Sequence, residues 1–150
     1  MSIGVARDLG LGPIDQVAYV VESLERALPR YEEMFGPFQV ATYEMKECTV
    51  RGRKADCSLR LALNNSGPVE IELIEVVAGE TIHSEHLKQH GEGIHHVRFR
   101  VTDLEPKVAE LEAAGYRTVM SKRMGPTIAF AYLESPPEIG GSIIELLQMV

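Results

Sequence analysis

Four side chains in this 150-residue chain have the types and spacing of ligands to a divalent ion: Gln16, Glu72, His96 and Glu145. Two carboxylates, one imidazole and one amide oxygen form a mostly oxygen donor set, which suits Zn²⁺, Co²⁺, Ni²⁺ or Mn²⁺. No thiolate belongs to the set, so a closed structural zinc site is excluded. A six-coordinate ion held this way keeps two positions open, at which a substrate carbonyl can be polarised. Two inward-facing carboxylates without a cation would repel each other and be desolvated. The expectation is therefore one divalent ion per chain.

Strand alternation brings the four together. Ile14 to Val21 reads as a strand with Val17, Tyr19 and Val21 on one face and Gln16 on the other, because successive side chains point to opposite faces. Gly93 to Val101 repeats that strand: residues 14–21 lie over residues 94–101 at an offset of 80, and Ser23-Leu24-Glu25 falls on Asp103-Leu104-Glu105. At an offset of 73, Ile71-Glu72-Leu73-Ile74 lies over Ile144-Glu145-Leu146-Leu147. A unit of about 75 residues written twice is the most informative feature of the chain. The apolar faces must cover helices, which turns Gln16, His96, Glu72 and Glu145 to one concave face.

The elements between these strands complete each unit. Ser23 caps a helix over LERALPRYEEMF that stops at Gly36-Pro37, with Pro29 arguing against an undistorted helix. Phe38 to Met45, Asp56 to Asn64 and Val69 to Val76 read as strands, the last two joined by the turn Asn64-Asn65-Ser66-Gly67-Pro68. Asp103 caps the helix LEPKVAELEAAG, closed by Gly115, and strands follow over Tyr116 to Lys122, Thr127 to Glu134 and Ser142 to Val150. The predicted class is α+β: two tandem βαβββ modules, residues 14–80 and 93–150, form one domain whose curved mixed sheet surrounds a metal-binding cleft. Residues 1–13 are read as a mobile lead-in arm, and Thr81 to Gly93 as a polar connector.

Composition limits the function classes. Fifteen basic against 22 acidic residues give a net charge of −7, the wrong sign for a protein that neutralises nucleic-acid phosphates. No run reaches the ~18 apolar residues of a membrane span, and a cytoplasmic location is expected. Cys48 and Cys57 lack CxxC spacing and are read as reduced and unreactive.

Arg98 lies two residues after His96 on the same face, roughly 6.6 Å further along the strand. A guanidinium there can clamp a substrate carboxylate or phosphate, or form an internal ion pair with Glu70 or Glu145. Arg60, on the polar face of its own strand, is a second substrate-binding candidate. His95 is expected on the face opposite His96. His83, His86 and His90 contain an i, i+4 pair that would bind metal if helical, but they are read as part of a solvated connector.

The segments HLKQHGEGIHHVRFRVTDLE (His86 to Glu105) and AFAYLESPPEIGGSIIELLQ (Ala129 to Gln148) resemble the vicinal oxygen chelate superfamily, which includes glyoxalase I, methylmalonyl-CoA epimerase, extradiol dioxygenases and bleomycin resistance proteins. The resemblance covers about residues 14–150 and is nearest to the epimerase branch. It implies paired modules around a metal held by Gln16, Glu72, His96 and Glu145, and a homodimer. It further implies Glu145 as the base, with Glu72 as its counterpart and Glu47, or Glu44, as a second base after the second strand. The epimerases generally have histidine where this chain has Gln16, and glutamine where it has Glu72; the set Gln, Glu, His, Glu looks instead like animal-type glyoxalase I. Extradiol dioxygenases use two histidines and one carboxylate, and the concave face offers only His96. Three readings follow: an epimerase-like isomerase acting on an acyl thioester such as an acyl-CoA, a glyoxalase I-like lyase acting on a glutathione adduct, and a non-catalytic protein that sequesters a small molecule.

Overall fold

The computed structural model describes residues 8–150; residues 1–7 of the expected arm lie outside the described residues. The elements run β1 (Ile14–Val20), α1 (Leu24–Phe35), β2 (Gln39–Val50), β3 (Arg53–Asn64), β4 (Glu70–Ala78), α2 (Ile82–His90), β5 (Gly93–Val101), α3 (Leu104–Ala113), β6 (Arg117–Arg123), β7 (Ile128–Glu134) and β8 (Ile143–Met149). All eight strands form one mixed sheet that closes on itself in the order β1-β4-β3-β2-β6-β7-β8-β5. The closure is short: only Thr49 with Ser121 and Val50 with Met120 pair between β2 and β6.

Two features of the repeat explain this topology. β1 and β5 are antiparallel, with Gln16 opposite Arg98 and Ala18 opposite His96, so the two copies of the unit are related by a local two-fold at this pair. Each of these strands then takes a parallel partner from the end of its own unit, β4 beside β1 and β8 beside β5. The helices cover the outer surface. Leu24, Ala27, Leu28 and Tyr31 of α1 pack with Tyr19, Val21, Ala62 and Leu73, and Leu104, Val108 and Leu111 of α3 pack with Phe99, Leu133, Ile144 and Leu146. Fully burying one such leucine stabilises by roughly 1.5–3 kcal/mol. Ser23 accepts a hydrogen bond from the Arg26 amide, as its capping role requires, and α1 continues through Pro29.

Two expectations change, and the interior adds a further observation. The connector after β4 is helical: Thr81 and Ser84 form a reciprocal capping box for α2, and His83 inside it is fully buried. Leu9 and Leu11 of the lead-in pack beside α3, and Lys107 donates to the Leu9 carbonyl at 2.8 Å, so this part of the arm is docked. The interior of the barrel away from β1 and β5 is hydrocarbon, filled by Cys57, Leu59, Ile74, Met120, Phe130 and Leu147.

Candidate metal centre

Two neighbouring cross-strand rows build the site. In one, Glu70 of β4, Gln16 of β1, Arg98 of β5 and Glu145 of β8 stand side by side; in the next, Glu72, Ala18 and His96 do. Ala18 is small and fully buried. Its methyl group leaves the space in which the longer side chains of Glu72 and His96 approach each other over it.

The four residues chosen from strand alternation converge on the His96 Nε2 atom. Glu145 Oε2 lies 3.0 Å from it, Gln16 Oε1 3.2 Å and Glu72 Oε1 4.0 Å. Ligand atoms about 2.1 Å from an octahedral ion are about 3.0 Å apart along an edge, a spacing that Glu145 and Gln16 already hold from His96 Nε2, whereas Glu72 at 4.0 Å would have to close in. Gln16 and His96 are fully buried, and Glu72 and Glu145 nearly so. The Gln16 amide is oriented by Glu70, whose Oε1 accepts from Gln16 Nε2 at 2.6 Å. That bond turns the amide oxygen toward His96, as a ligand requires.

The electrostatics also favour a cation. Burial, followed by the adjacent Glu145, pushes the Glu72 carboxyl up to about 8. Burial likewise pushes Glu145 up to about 7. Both carboxyls are pushed the same way, because two bare carboxylates are costly to bury here. Burial, with Arg98 adding to it, pushes His96 down to about 3, which keeps the imidazole neutral and competent as a ligand. The donor set and its charge thus fit a single divalent ion.

Around this cluster the chain departs from simple alternation. Between β1 and β5 the register slips twice, leaving Asp15 and His95 as extra residues. Such a bulge sets two residues against one and redirects the inserted side chain. Asp15 consequently meets Arg98 in a two-point pair at 2.9 and 3.1 Å and also accepts from Arg100 at 3.0 Å. Burial alone would raise its carboxyl, but the two arginines outweigh burial and hold it below the usual range. Arg98 reaches Glu70 as well, at 3.5 Å. The guanidinium therefore lies at the edge of the centre, engaged by internal carboxylates, and the alternative of an ion pair with Glu70 is the observed arrangement. Asp15 was missed because a bulge has no composition signature; Glu70 was legible, two residues before Glu72 on the same strand face.

His95 is the clearest correction. It was expected on the face opposite His96, yet it is buried beside it, with the two Nδ1 atoms 2.8 Å apart, because the bulge turns both rings to the same side. Arg60 and Glu47 are not brought to the centre. Arg60 shares its face of β3 with Ala62, which packs under α1, and is exposed on the outside; the apolar face of β3 turns inward because this part of the interior is hydrocarbon. Glu47 stands exposed at a bulge of β2 with φ 52°, and no hydrogen bond or ion pair among the described residues joins its carboxylate to the four. Cys48 and Cys57 are free and buried, and burial pushes both thiols up.

A sheet of paired βαβββ units, with inward carboxylates and an imidazole on the four central strands, defines a class. Residues 15–132 match the Glyoxalase/Bleomycin resistance protein/Dioxygenase superfamily, and the chain belongs to it. Among solved structures it is similar to a hypothetical protein from Bacillus halodurans at 20% identity, covering 92% of this chain and 94% of that one with a TM-score of 0.67. It is also similar to methylmalonyl-CoA epimerase from Mycobacterium tuberculosis, at 21% identity with 91% and 87% of the chains covered and a TM-score of 0.62. A Streptomyces coelicolor methylmalonyl-CoA epimerase in complex with 2-nitronate-propionyl-CoA matches at 22% identity, with 91% and 94% covered and a TM-score of 0.64. No protein of curated function matches the chain in sequence.

Proposed function

We propose that this protein is a metal-dependent isomerase that removes a proton from the carbon next to the carbonyl of an acyl thioester, in the manner of a methylmalonyl-CoA epimerase. The observation that carries the reading is the convergence of Gln16, Glu72 and Glu145 on the buried Nε2 of His96. These four residues would hold one divalent ion, which when bound supplies Lewis-acid stabilisation of the negative charge that develops on the carbonyl oxygen. Glu145 is the proposed base. Burial pushes its carboxyl up to about 7 in the metal-free protein, and as the base it would act turned toward the substrate and off the ion. Glu72 faces it across the cluster as the proposed partner of opposite side. Glu70 fixes the Gln16 amide, and Arg98, anchored by Asp15, adds positive charge beside the reacting centre.

An acyl-CoA is the substrate class the surroundings favour. A cavity of about 390 Å³ between α2, β5 and residues 140–144 is lined by His95 and His96. It shares Glu85 and Gln89 with a second cavity of about 550 Å³ that is bordered by Arg53, Lys54 and Lys88. The exposed cations suit the phosphates of a long anionic cofactor tail.

A second reading, glyoxalase I-like chemistry on a glutathione hemithioacetal, is favoured by one observation: the Gln16 amide presents its oxygen, so the donor set is Gln, Glu, His, Glu. Parallel incubations separate the readings. Methylmalonyl-CoA in deuterated water should gain deuterium at the α-carbon, whereas lactoylglutathione formed from the methylglyoxal–glutathione hemithioacetal would establish the second reading. Neither product from protein reconstituted with a divalent ion would overturn these two substrate assignments and leave proton abstraction from another carbonyl substrate, or sequestration of a small ligand, as the readings.

A further inference from the structure

All five histidines of the chain form one column. Starting from the exposed end of α2, His90 and His86 have ring centroids 4.6 Å apart, His86 and His95 4.9 Å, His95 and His83 4.6 Å, and His95 and His96 5.1 Å. The inner three are buried, and one ring nitrogen from each of His83, His95 and His96 lies within 4.8 Å of the others. The centre described above uses only His96.

Buried ring nitrogens are normally hydrogen-bonded, and each exception calls for an explanation. His83 Nε2 and His95 Nε2 are both buried with no partner among the described residues, as is His86 Nδ1 nearer the surface. The opposite nitrogens are engaged: His83 Nδ1 lies 3.2 Å from Thr81 Oγ1 and His95 Nδ1 2.8 Å from His96 Nδ1. Rings fixed through one nitrogen with the other left free are how metal-binding histidines are held. Thr81 is itself fixed as the cap of α2, accepting from the His83 and Ser84 amides, so the ring of His83 is anchored by the start of its own helix.

We propose that His83, His95 and His96 form a second metal site, an all-imidazole site for a borderline transition ion such as Zn²⁺ or Co²⁺. His83 and His95 would supply neutral nitrogens. His96, whose Nε2 faces the carboxylates, would bridge the two ions as an imidazolate, its Nδ1 exchanging the His95 contact for the second ion and its proton passing to solvent. A fourth position stays for water or another donor, the pattern of a tetrahedral site. Tetrahedral coordination at about 2.05 Å separates ligands by about 3.3 Å, so nitrogens that now lie within 4.8 Å of one another would close by up to about 1.5 Å on binding. His86 and His90 line the 390 Å³ cavity leading to His95 and His96 and give an ion its path from the surface. Because His96 is common to both, the two sites are neighbours, and Glu72 and Glu145 supply negative charge to each.

The test is metal stoichiometry together with the visible spectrum of Co²⁺-loaded protein, compared among wild type, His83→Leu and Glu72→Gln/Glu145→Gln. Two ions per chain in wild type, one in His83→Leu and one in the double variant is the expected result. Loss of the intense bands of tetrahedral Co²⁺ should accompany His83→Leu alone. A single ion that depends on His83 and survives the double variant also supports this site, while overturning the carboxylate centre. Unchanged stoichiometry and spectrum in His83→Leu overturns the imidazole site and leaves the proposed reaction untouched. Since a buried substitution can impair folding, imidazole ¹⁵N spectra of the wild-type protein titrated with Zn²⁺ give an independent reading. The nitrogens of His83 and His95 should both shift, and static signals through two equivalents overturn the site.

Discussion

The metal-free protein should be most stable near pH 6 and lose stability on the alkaline side, a behaviour that follows from the buried groups of the centre. Glu72 and Glu145 hold protons in the folded state up to about 8 and about 7, against 4.5 when exposed. Their contribution is complete below the unfolded value and is lost as pH rises through the folded ones. The histidines act with the opposite sign. Burial pushes His83 and His96 down to about 3 and His95 lower still, against 6.5 when exposed, so stability falls as the unfolded chain takes up protons below that value. Below about pH 6 three imidazoles outweigh two carboxylates, and above it the carboxylates prevail. Integrating both terms gives a net loss on the order of 1–2 kcal/mol from pH 6 to pH 9, or about 3–8 °C in Tm for a chain of this size. In Glu72→Gln/Glu145→Gln only the histidine term survives, and stability should rise by about 2–3 kcal/mol over the same interval. Thermal unfolding of chelator-treated protein across this range measures both slopes, and a saturating divalent ion should abolish the alkaline loss in wild type. Equal slopes for wild type and the double variant would refute the view that these carboxylates are destabilised by burial and await a cation.

Three further outcomes test the supporting structure. Arg98→Met removes the two-point partner of Asp15 and the contact with Glu70, and partly solvated carboxylates left this way should cost about 2–4 kcal/mol in urea unfolding. Glu70→Ala frees the Gln16 amide, so affinity for a divalent ion should fall about 10- to 100-fold in calorimetric titration with little change in unfolding midpoint. Gly79→Ala places a Cβ 2.4 Å from the Asp56 carbonyl oxygen at φ +86°; a loss of about 2 kcal/mol or more should appear as a lowered Tm.

The period of a strand made the four central residues legible. Once Gln16 and His96, or Glu72 and Glu145, are recognised as copies of one another, the apolar side of each strand fixes where they point, and no detail of loops or closure alters that. Side chains outside the period were not legible. Thr81 to His90 is polar enough to read as a connector, and only tertiary burial of Ile82 and His83, with the Thr81–Ser84 capping box, makes it a helix. Arg60 misled because β3 inverts the rule that holds for β1, β4, β5 and β8: its apolar face lines a hydrocarbon part of the interior, and its polar face is the outer one. Polarity alone cannot distinguish an inward polar face near a site from an outward one far from it.

The two bulges show what the duplication preserved and what it changed. Asp15 and His95 are the inserted residues, and they stand at the same offset of 80 that relates Gln16 to His96. The distortion is therefore a property of the repeated unit, and in each copy it turns the residue before a ligand inward. The side chains at these equivalent positions have since diverged. In the first copy the inserted residue is an aspartate that meets Arg98, the counterpart of the small Ala18; in the second it is an imidazole that meets His83. A two-fold scaffold thus carries a carboxylate–guanidinium flank on one side and an imidazole flank on the other, with His96 between them, its Nδ1 toward His95 and its Nε2 toward Gln16 and Glu145. A symmetric pair of ligands would treat the two faces of a substrate alike, whereas this arrangement places the carboxylates and Arg98 on one side of His96 and the neutral rings on the other, so under the proposed reaction charge developing on the substrate would be met asymmetrically.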